Sequence, residues 1–185
     1  DVMGRIITYE SVDINVTVEV SLGGQSFPMN HVVRSADRRS AQDLHNEIHS
    51  VKQRPGSSDT LRMERSTQWY LHVPGPVRRR VLMGTLHRLP DLQRRLIGTV
   101  GLTSVGMHGR GAGTGFPFLL HTLDVLVGGL EERRSVDDAG APETRQLLWV
   151  SLVADHDVVD GVPLTRFIAA FRDGLESGAA LGSST

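Results

Sequence analysis

The chain has 185 residues, 39% of them hydrophobic, with 20 lysines and arginines against 21 aspartates and glutamates and a formal net charge of −1. That length and apolar content support one packed domain and exclude a disordered chain. The near-neutral charge gives no electrostatic case for nucleic acid or an anionic membrane surface. No apolar run approaches the roughly 20 residues of a membrane-spanning helix, and the absence of cysteine removes disulfides, thiolate nucleophiles and cysteine-type zinc sites. A cytoplasmic location is expected. No signal peptide is visible in DVMGRIITYE, which enters strand-like sequence at once without an initiating methionine. A fragment or processed product is therefore expected, with one domain over 1–177 and a flexible tail over 178–185.

RIITYE (5–10) and VDINVTVEV (12–20) read as strands. The second alternates with period two: Ile14, Val16, Val18 and Val20 fall on one face, Asp13, Asn15, Thr17 and Glu19 on the other. Gly23-Gly24 is a turn, and FPMNHVV (27–33) is a third strand. Ser40 caps a helix that carries Leu44, Ile48 and Val51 on one face, and RPGSSDT (54–60) breaks it. Residues 66–97 read as helix interrupted at PGP (74–76) and Pro90. GTVGLTSVG (98–106) is strand-like and enters the glycine-rich HGRGAGTG (108–115). LDVLVGGL (123–130) is a strand, EERRSVDDAGAPET a charged loop, and RQLLWVSLVAD (145–155) a very apolar strand expected at the sheet centre. Pro163 suits the first position of an amphipathic helix, LTRFIAAFRDGLE (164–176). Strand pairs with inserted helices imply an α+β fold with a mixed sheet.

HDVVDG (156–161) sets a histidine directly after the apolar strand, an aspartate four residues on, and a glycine at the turn. A satisfied surface histidine explains that spacing as well as a general base does, though an imidazole can take and return protons near neutral pH. The surrounding blocks carry more information. HVVRSADRRSAQDLHNEI (31–48), GTVGLTSVGMHG (98–109), LDVLVGGLEERRSV (123–136) and the HDVVDG strand and helix occur in one order across most of residues 12–177. In that order they resemble the catalytic domain of dihydrolipoyl acyltransferases, in the chloramphenicol-acetyltransferase-like superfamily with its HxxxDG motif.

The resemblance implies a chloramphenicol-acetyltransferase-like mixed sheet flanked by helices. It implies an acyltransferase that moves an acyl group between coenzyme A, or another thioester, and a thiol or hydroxyl acceptor. His156 resembles the general base, and Asp160 the aspartate that holds the loop by pairing with an arginine. Thr103 matches the hydroxyl residue that donates to the oxyanion, with Ser104 as the alternative donor. Acyl-coenzyme A is then a co-substrate, no metal is implied, and a homotrimer is expected by analogy. The departures are Asp157, where the family commonly has arginine, and threonine in place of serine at 103. The domain's opening helix and strand are missing or precede residue 1. No lipoyl domain is visible, and Lys52, the sole lysine, lacks the hairpin context of lipoylation. The rival reading is a catalytically silent scaffold. Retention of His156 together with a hydroxyl at 103 or 104 argues against it.

Three other signals take bland readings. His45 and His49 have the i, i+4 spacing of metal ligands, but no third ligand is evident and HNEIH is not the zincin order. HGRGAGTG lacks the GK[ST] of a phosphate loop and is expected beside the active site or a coenzyme. RVLMGTLHRLPDLQRRL (80–96) reads as a solvated helix packed on the sheet.

Overall fold

The alternating segment around Ile14 becomes the second strand of one five-stranded sheet. The computed structural model describes residues 6–22, 24–54, 74–77, 80, 84, 89–105, 113–117, 120–137 and 139–178. In chain order these form β1 (Ile14–Leu22), β2 (Gln25–Val33), a 3₁₀ turn (Ala36–Arg38), α1 (Ala41–Gln53), α2 (Pro90–Ile97), β3 (Val100–Ser104), β4 (Leu123–Val136), β5 (Pro142–Ala154) and α3 (Gly161–Ser177). The strand order is β2-β1-β3-β4-β5. The pairs β1–β3 and β3–β4 are parallel, while β1–β2 and β4–β5 are antiparallel. The expected α+β mixed sheet with flanking helices is what the chain forms.

The period-two pattern of β1 divides the sheet faces. Val18 and Val20 pack with Met29 of β2 and Val51 of α1, with Val16 and Ile48 at the margin, in a buried apolar cluster. Helix α1 reaches that face because Ser40 caps it, its hydroxyl accepting from the Asp43 N–H at 3.1 Å. The other face carries Asn15 and Thr17, paired in register with Gly101 and Thr103 of β3. Those in turn pair with Asp124 and Leu126 of β4.

Several expectations change. Residues 6–11 form no strand: β1 already has β2 on one side and β3 on the other, leaving no edge for Ile6–Glu10 to join. The expected charged loop at 131–144 is mostly strand. β4 runs on to Val136 and β5 starts at Pro142, with a short turn closed by Asp137 side-chain bonds to the Ala139 and Ala141 N–H groups. Both strands of this ribbon face solvent, so its sequence need not alternate. β5 is an edge strand rather than a central one, and its Leu148 and Trp149 are exposed. Pro163 is the third residue of α3, still in the first turn where a missing N–H is harmless. Of the expected helix over 66–97, α2 is the continuous described part, with Pro90 opening it; most of the remainder, like the break after Arg54, lies outside the described residues. So does the tail from 179 onward. Among the described residues no helix is long and apolar enough to cross a membrane.

Candidate functional site

The N-terminal ends of β1 and β3 are locked by one carboxylate. Asp13 is 1% exposed, and its Oδ2 accepts from Arg34 Nη1 at 3.0 Å and Arg94 Nε at 2.8 Å. Its Oδ1 accepts from the Ser35 N–H at 2.9 Å. Arg34 also donates to the Arg94 and Arg95 carbonyls, which ties α2 to the sheet. Burial works to raise the Asp13 pKa, but the hydrogen bonds from Arg94, Ser35 and Arg34 outweigh it and hold the carboxyl below the ordinary carboxylate range. Gly98, at φ +76°, lets the chain pass so close to the Asp13 carbonyl that a Cβ there would sit 2.8 Å from it. This clasp sets the register from which β3 carries Thr103 outward.

Thr103 faces a cleft of about 320 Å³ lined by Asn15, Thr17, Asn30, Phe116, Leu120 and Asp124, among others. Its Oγ1 lies 3.3 Å from Thr17 Oγ1, and Thr17 donates to Asn30 Oδ1 at 3.2 Å. Ser104, the next residue along the strand, is exposed and does not line the cleft. Alternation on β3 therefore puts the two hydroxyls on opposite faces, with Thr103 in the cleft.

His156 sits in the turn after β5, exposed, with Asp157 beside it. The Asp157 N–H donates to Asp155 Oδ1 at 3.0 Å, which shapes this turn. Asp160 occupies the N-cap position of α3, and its carbonyl accepts from the Leu164 N–H at 3.1 Å. It is exposed, and no arginine pairs with it among the described residues, so the expected arginine contact is not made within this part of the chain. The reason is its position: the side chain stands at a free helix end.

The structure does not bring His156 to Thr103 within one chain. Thr103 is level with Leu126 and, through it, Ser151; Ala154 is level with Leu123 and Val100. The end of β5 is thus displaced by three residues, roughly 10 Å along the strands, and by two strand spacings of about 4.8 Å across them. The histidine turn leaves the sheet at the end opposite to the one Thr103 approaches.

A second histidine, not singled out in the sequence, borders the cleft. His121 Nδ1 lies 2.7 Å from Asp124 Oδ1, and its Nε2 lies 2.6 Å from the Ile97 carbonyl. Asp124 Oδ2 also accepts from the Leu120 and His121 N–H groups. Both side chains are buried, so this pair is a post that fixes the 120–124 turn. The HTLD spacing, His and Asp three apart across the start of a strand, was its only trace in the sequence.

The remaining candidates stay peripheral. His45 and His49 stack at 5.9 Å, His49 Nε2 meets Gln53, and no group of three potential metal ligands forms among the described residues. Of the glycine-rich stretch, residues 113–115 are described. The Gly113 carbonyl accepts from the Gly129 N–H at 2.9 Å, and Thr114 Oγ1 meets Ser151 Oγ at 2.5 Å. These contacts hold Phe116 and Pro117 along the cleft.

No protein-family model matches the sequence, and no curated protein matches it either. Solved structures do match. The chain is similar to the dihydrolipoamide acetyltransferase of Azotobacter vinelandii, studied for the role of a serine, a histidine and an asparagine in its catalytic mechanism, at 19% identity and a TM-score of 0.59. That match covers 96% of this chain and 59% of the other. A probable dihydrolipoamide acetyltransferase from Listeria monocytogenes matches at 17% identity and TM-score 0.59, over 99% of this chain and 62% of that one. A truncated catalytic core of a 2-oxoacid dehydrogenase multienzyme complex from Thermoplasma acidophilum matches at 20% and 0.52, over 95% and 63%. The chain therefore has the fold of the catalytic cores of dihydrolipoamide acetyltransferases, the chloramphenicol-acetyltransferase-like fold. It spans about three-fifths of the length of these solved chains.

Proposed function

We propose that this chain is the acyltransferase domain of a thioester-dependent enzyme whose active site forms between subunits. The observation that carries the reading is positional. In a fold shared with acyltransferase cores, the HDVVDG turn and the cleft-facing Thr103 are both present, at opposite ends of the sheet. A head-to-tail cyclic assembly brings such ends together, one from each neighbour, and a homotrimer is the assembly we infer.

The chemistry balances with these residues alone. His156 takes the proton from the acceptor thiol or hydroxyl, whose sulfur or oxygen attacks the thioester carbonyl. The carbonyl oxygen becomes an oxyanion and accepts a hydrogen bond from Thr103 of the neighbouring subunit. Collapse of the tetrahedral intermediate breaks the carbon–sulfur bond, and the departing coenzyme A thiolate takes back the proton held by His156. Gly161 gives the turn its shape, and Asp160 starts α3 behind the histidine. Coenzyme A enters as acyl donor, and no resident metal takes part.

The test is transfer of an acetyl group from acetyl-coenzyme A to dihydrolipoamide, followed by chromatography of the free coenzyme A and S-acetyldihydrolipoamide formed. His156→Ala should lower kcat by at least about a hundredfold, the lower end of what a positioned base contributes. Because His156 is exposed, the melting temperature should stay within about 2 °C. Activity within tenfold of wild type would remove His156 from the mechanism. The silent-scaffold alternative requires no activity with any thioester in the intact chain.

A further inference from the structure

Asn30, Thr17 and Thr103 stand in one row across β2, β1 and β3, each the register partner of the next, and all three line the cleft. Thr17 Oγ1 donates to Asn30 Oδ1 at 3.2 Å and lies 3.3 Å from Thr103 Oγ1. A hydroxyl has one hydrogen to give. With the Thr17 hydrogen on Asn30, the contact between the two threonines is filled by the hydrogen of Thr103. Thr103 then aims its donor along the row instead of into the cleft, where an oxyanion needs it.

The two ends of the row differ. Beyond Thr103 the register partner is Leu126, apolar and buried, which neither gives nor takes a hydrogen bond. Asn15, on the same face of β1, keeps its Oδ1 buried and unpaired among the described residues, so it takes no part. At the other end Asn30 is exposed, on the strand that closes the sheet order. Its carboxamide holds an acceptor oxygen and a donor nitrogen in nearly the same shape, so a half-turn presents Nδ2 to Thr17 in place of Oδ1. Thr17 then gives its hydrogen to Thr103, and the Thr103 hydrogen turns toward the cleft.

We propose that Asn30 is a positioning residue that sets the direction of this row. With Nδ2 on Thr17, Thr103 is an oxyanion donor; with Oδ1 on Thr17, it is not. The inference rests on the transferase reading, in which Thr103 meets the thioester carbonyl oxygen. Negative charge developing on that oxygen favours the donating direction, so the row reverses as the tetrahedral intermediate forms. Because Asn30 is exposed, its amide turns without disturbing the core.

Asn30→Asp tests the proposal, because a carboxylate accepts and does not donate. The kcat for acetyl transfer to dihydrolipoamide should fall by about tenfold or more, a fraction of the roughly 10²–10³-fold cost of losing a whole oxyanion donor. Tm should stay within about 2 °C, as for other exposed positions. In a Thr17→Val background, where the row is cut, the same Asn30→Asp change should lower kcat by less than about threefold. A smaller fall in the wild-type background overturns the proposal. A larger fall in the Thr17→Val background also overturns it, because the added charge would then be acting without the row. If the wild type transfers no acyl group, the transferase reading fails, and neutron diffraction from deuterated crystals judges the row by itself. The Thr103 deuteron should point at Thr17 in Asn30→Asp and toward the cleft in the double variant, and any other pair of orientations overturns the proposal.

Discussion

Thr103 Oγ1 lies 3.3 Å from Thr17 Oγ1, across the parallel pair of β1 and β3. Thr17 gives its single hydroxyl hydrogen to Asn30 Oδ1, so Thr103 must be the donor to Thr17. Three side chains on neighbouring strands form a directed chain that ends on a carboxamide. A half-turn of the Asn30 amide reverses the chain: Nδ2 then donates to Thr17, Thr17 to Thr103, and the Thr103 hydrogen is released toward the cleft.

The first prediction separates the two adjacent hydroxyls. Thr103→Ala should reduce kcat about 10²–10³-fold, the effect of removing one oxyanion donor, and Thr103→Ser should recover most of it. Ser104→Ala should change kcat less than threefold. Steady-state kinetics on the three variants decide the matter, and a damaged Ser104→Ala would move the site to the opposite sheet face.

The interface site predicts complementation. His156→Ala subunits and Thr103→Ala subunits, each inactive, should regain activity when mixed equally with full exchange. A working site needs the intact histidine of one and the intact hydroxyl of the other, which random assembly supplies at about a quarter of the interfaces. A mixture that stays dead after exchange has been demonstrated by mass spectrometry would refute the shared site.

The Asp13 clasp predicts an acid-sensitive fold. Its carboxyl is held below the ordinary range, so its contribution is present above the unfolded-state value of about 3.9 and is lost as pH falls through the lower folded-state value. Asp13→Asn should cost about 3 kcal/mol at pH 7, toward the low end for a broken buried pair because both arginines reach solvent. It should also flatten the fall in stability between pH 5 and pH 3. Urea titrations at the two pH values measure both effects; an unchanged slope would show that Asp13 is not the group responsible.

Gly101 predicts a steric effect. A Cβ there would overlap Asp124 Oδ1 and stand 2.7 Å from His121 Nδ1, so Gly101→Ala must break or displace the His121–Asp124 post. A loss of about 2–3 kcal/mol is expected, as for other overpacked sites. Gly174→Ala in α3 meets nothing within 4 Å and should instead stabilise by about 0.5–1 kcal/mol. Equal Tm values for the two variants would contradict the contact.

What the sequence disclosed was what short-range chemistry encodes. The alternation from Ile14 to Val20 specified both the strand and the face that meets α1, and Ser40 specified where α1 starts. The ribbon at 130–148 was opaque because a two-stranded segment with solvent on both faces needs no alternation, and charged residues such as Arg133 and Glu143 then read as loop. The central position expected for β5 failed for a different reason. Apolarity reports that a strand is covered and does not say by what, so Leu147 to Val153 could not distinguish neighbours within this sheet from another surface. Asp13 and Asn15 fall on the polar face of the alternating 12–20 segment, yet both are buried. Their partners, or the lack of one, depend on contacts from residues as distant as Arg94.

The placement of β5 at the sheet margin bears on solution behaviour. Among the described residues no strand pairs with its outer edge over 13 residues, which makes that edge a template on which another extended chain can add. The half that carries Glu143 and Arg145 repels such additions by charge. The half from Leu147 to Val153 has no charged residue and an exposed tryptophan, and it matches the composition of aggregation-prone segments. Ordered self-association and fibrous precipitation would compete for this one strand, and a lysine at Val150 or Leu152 would be the first substitution to try for keeping the isolated chain in solution.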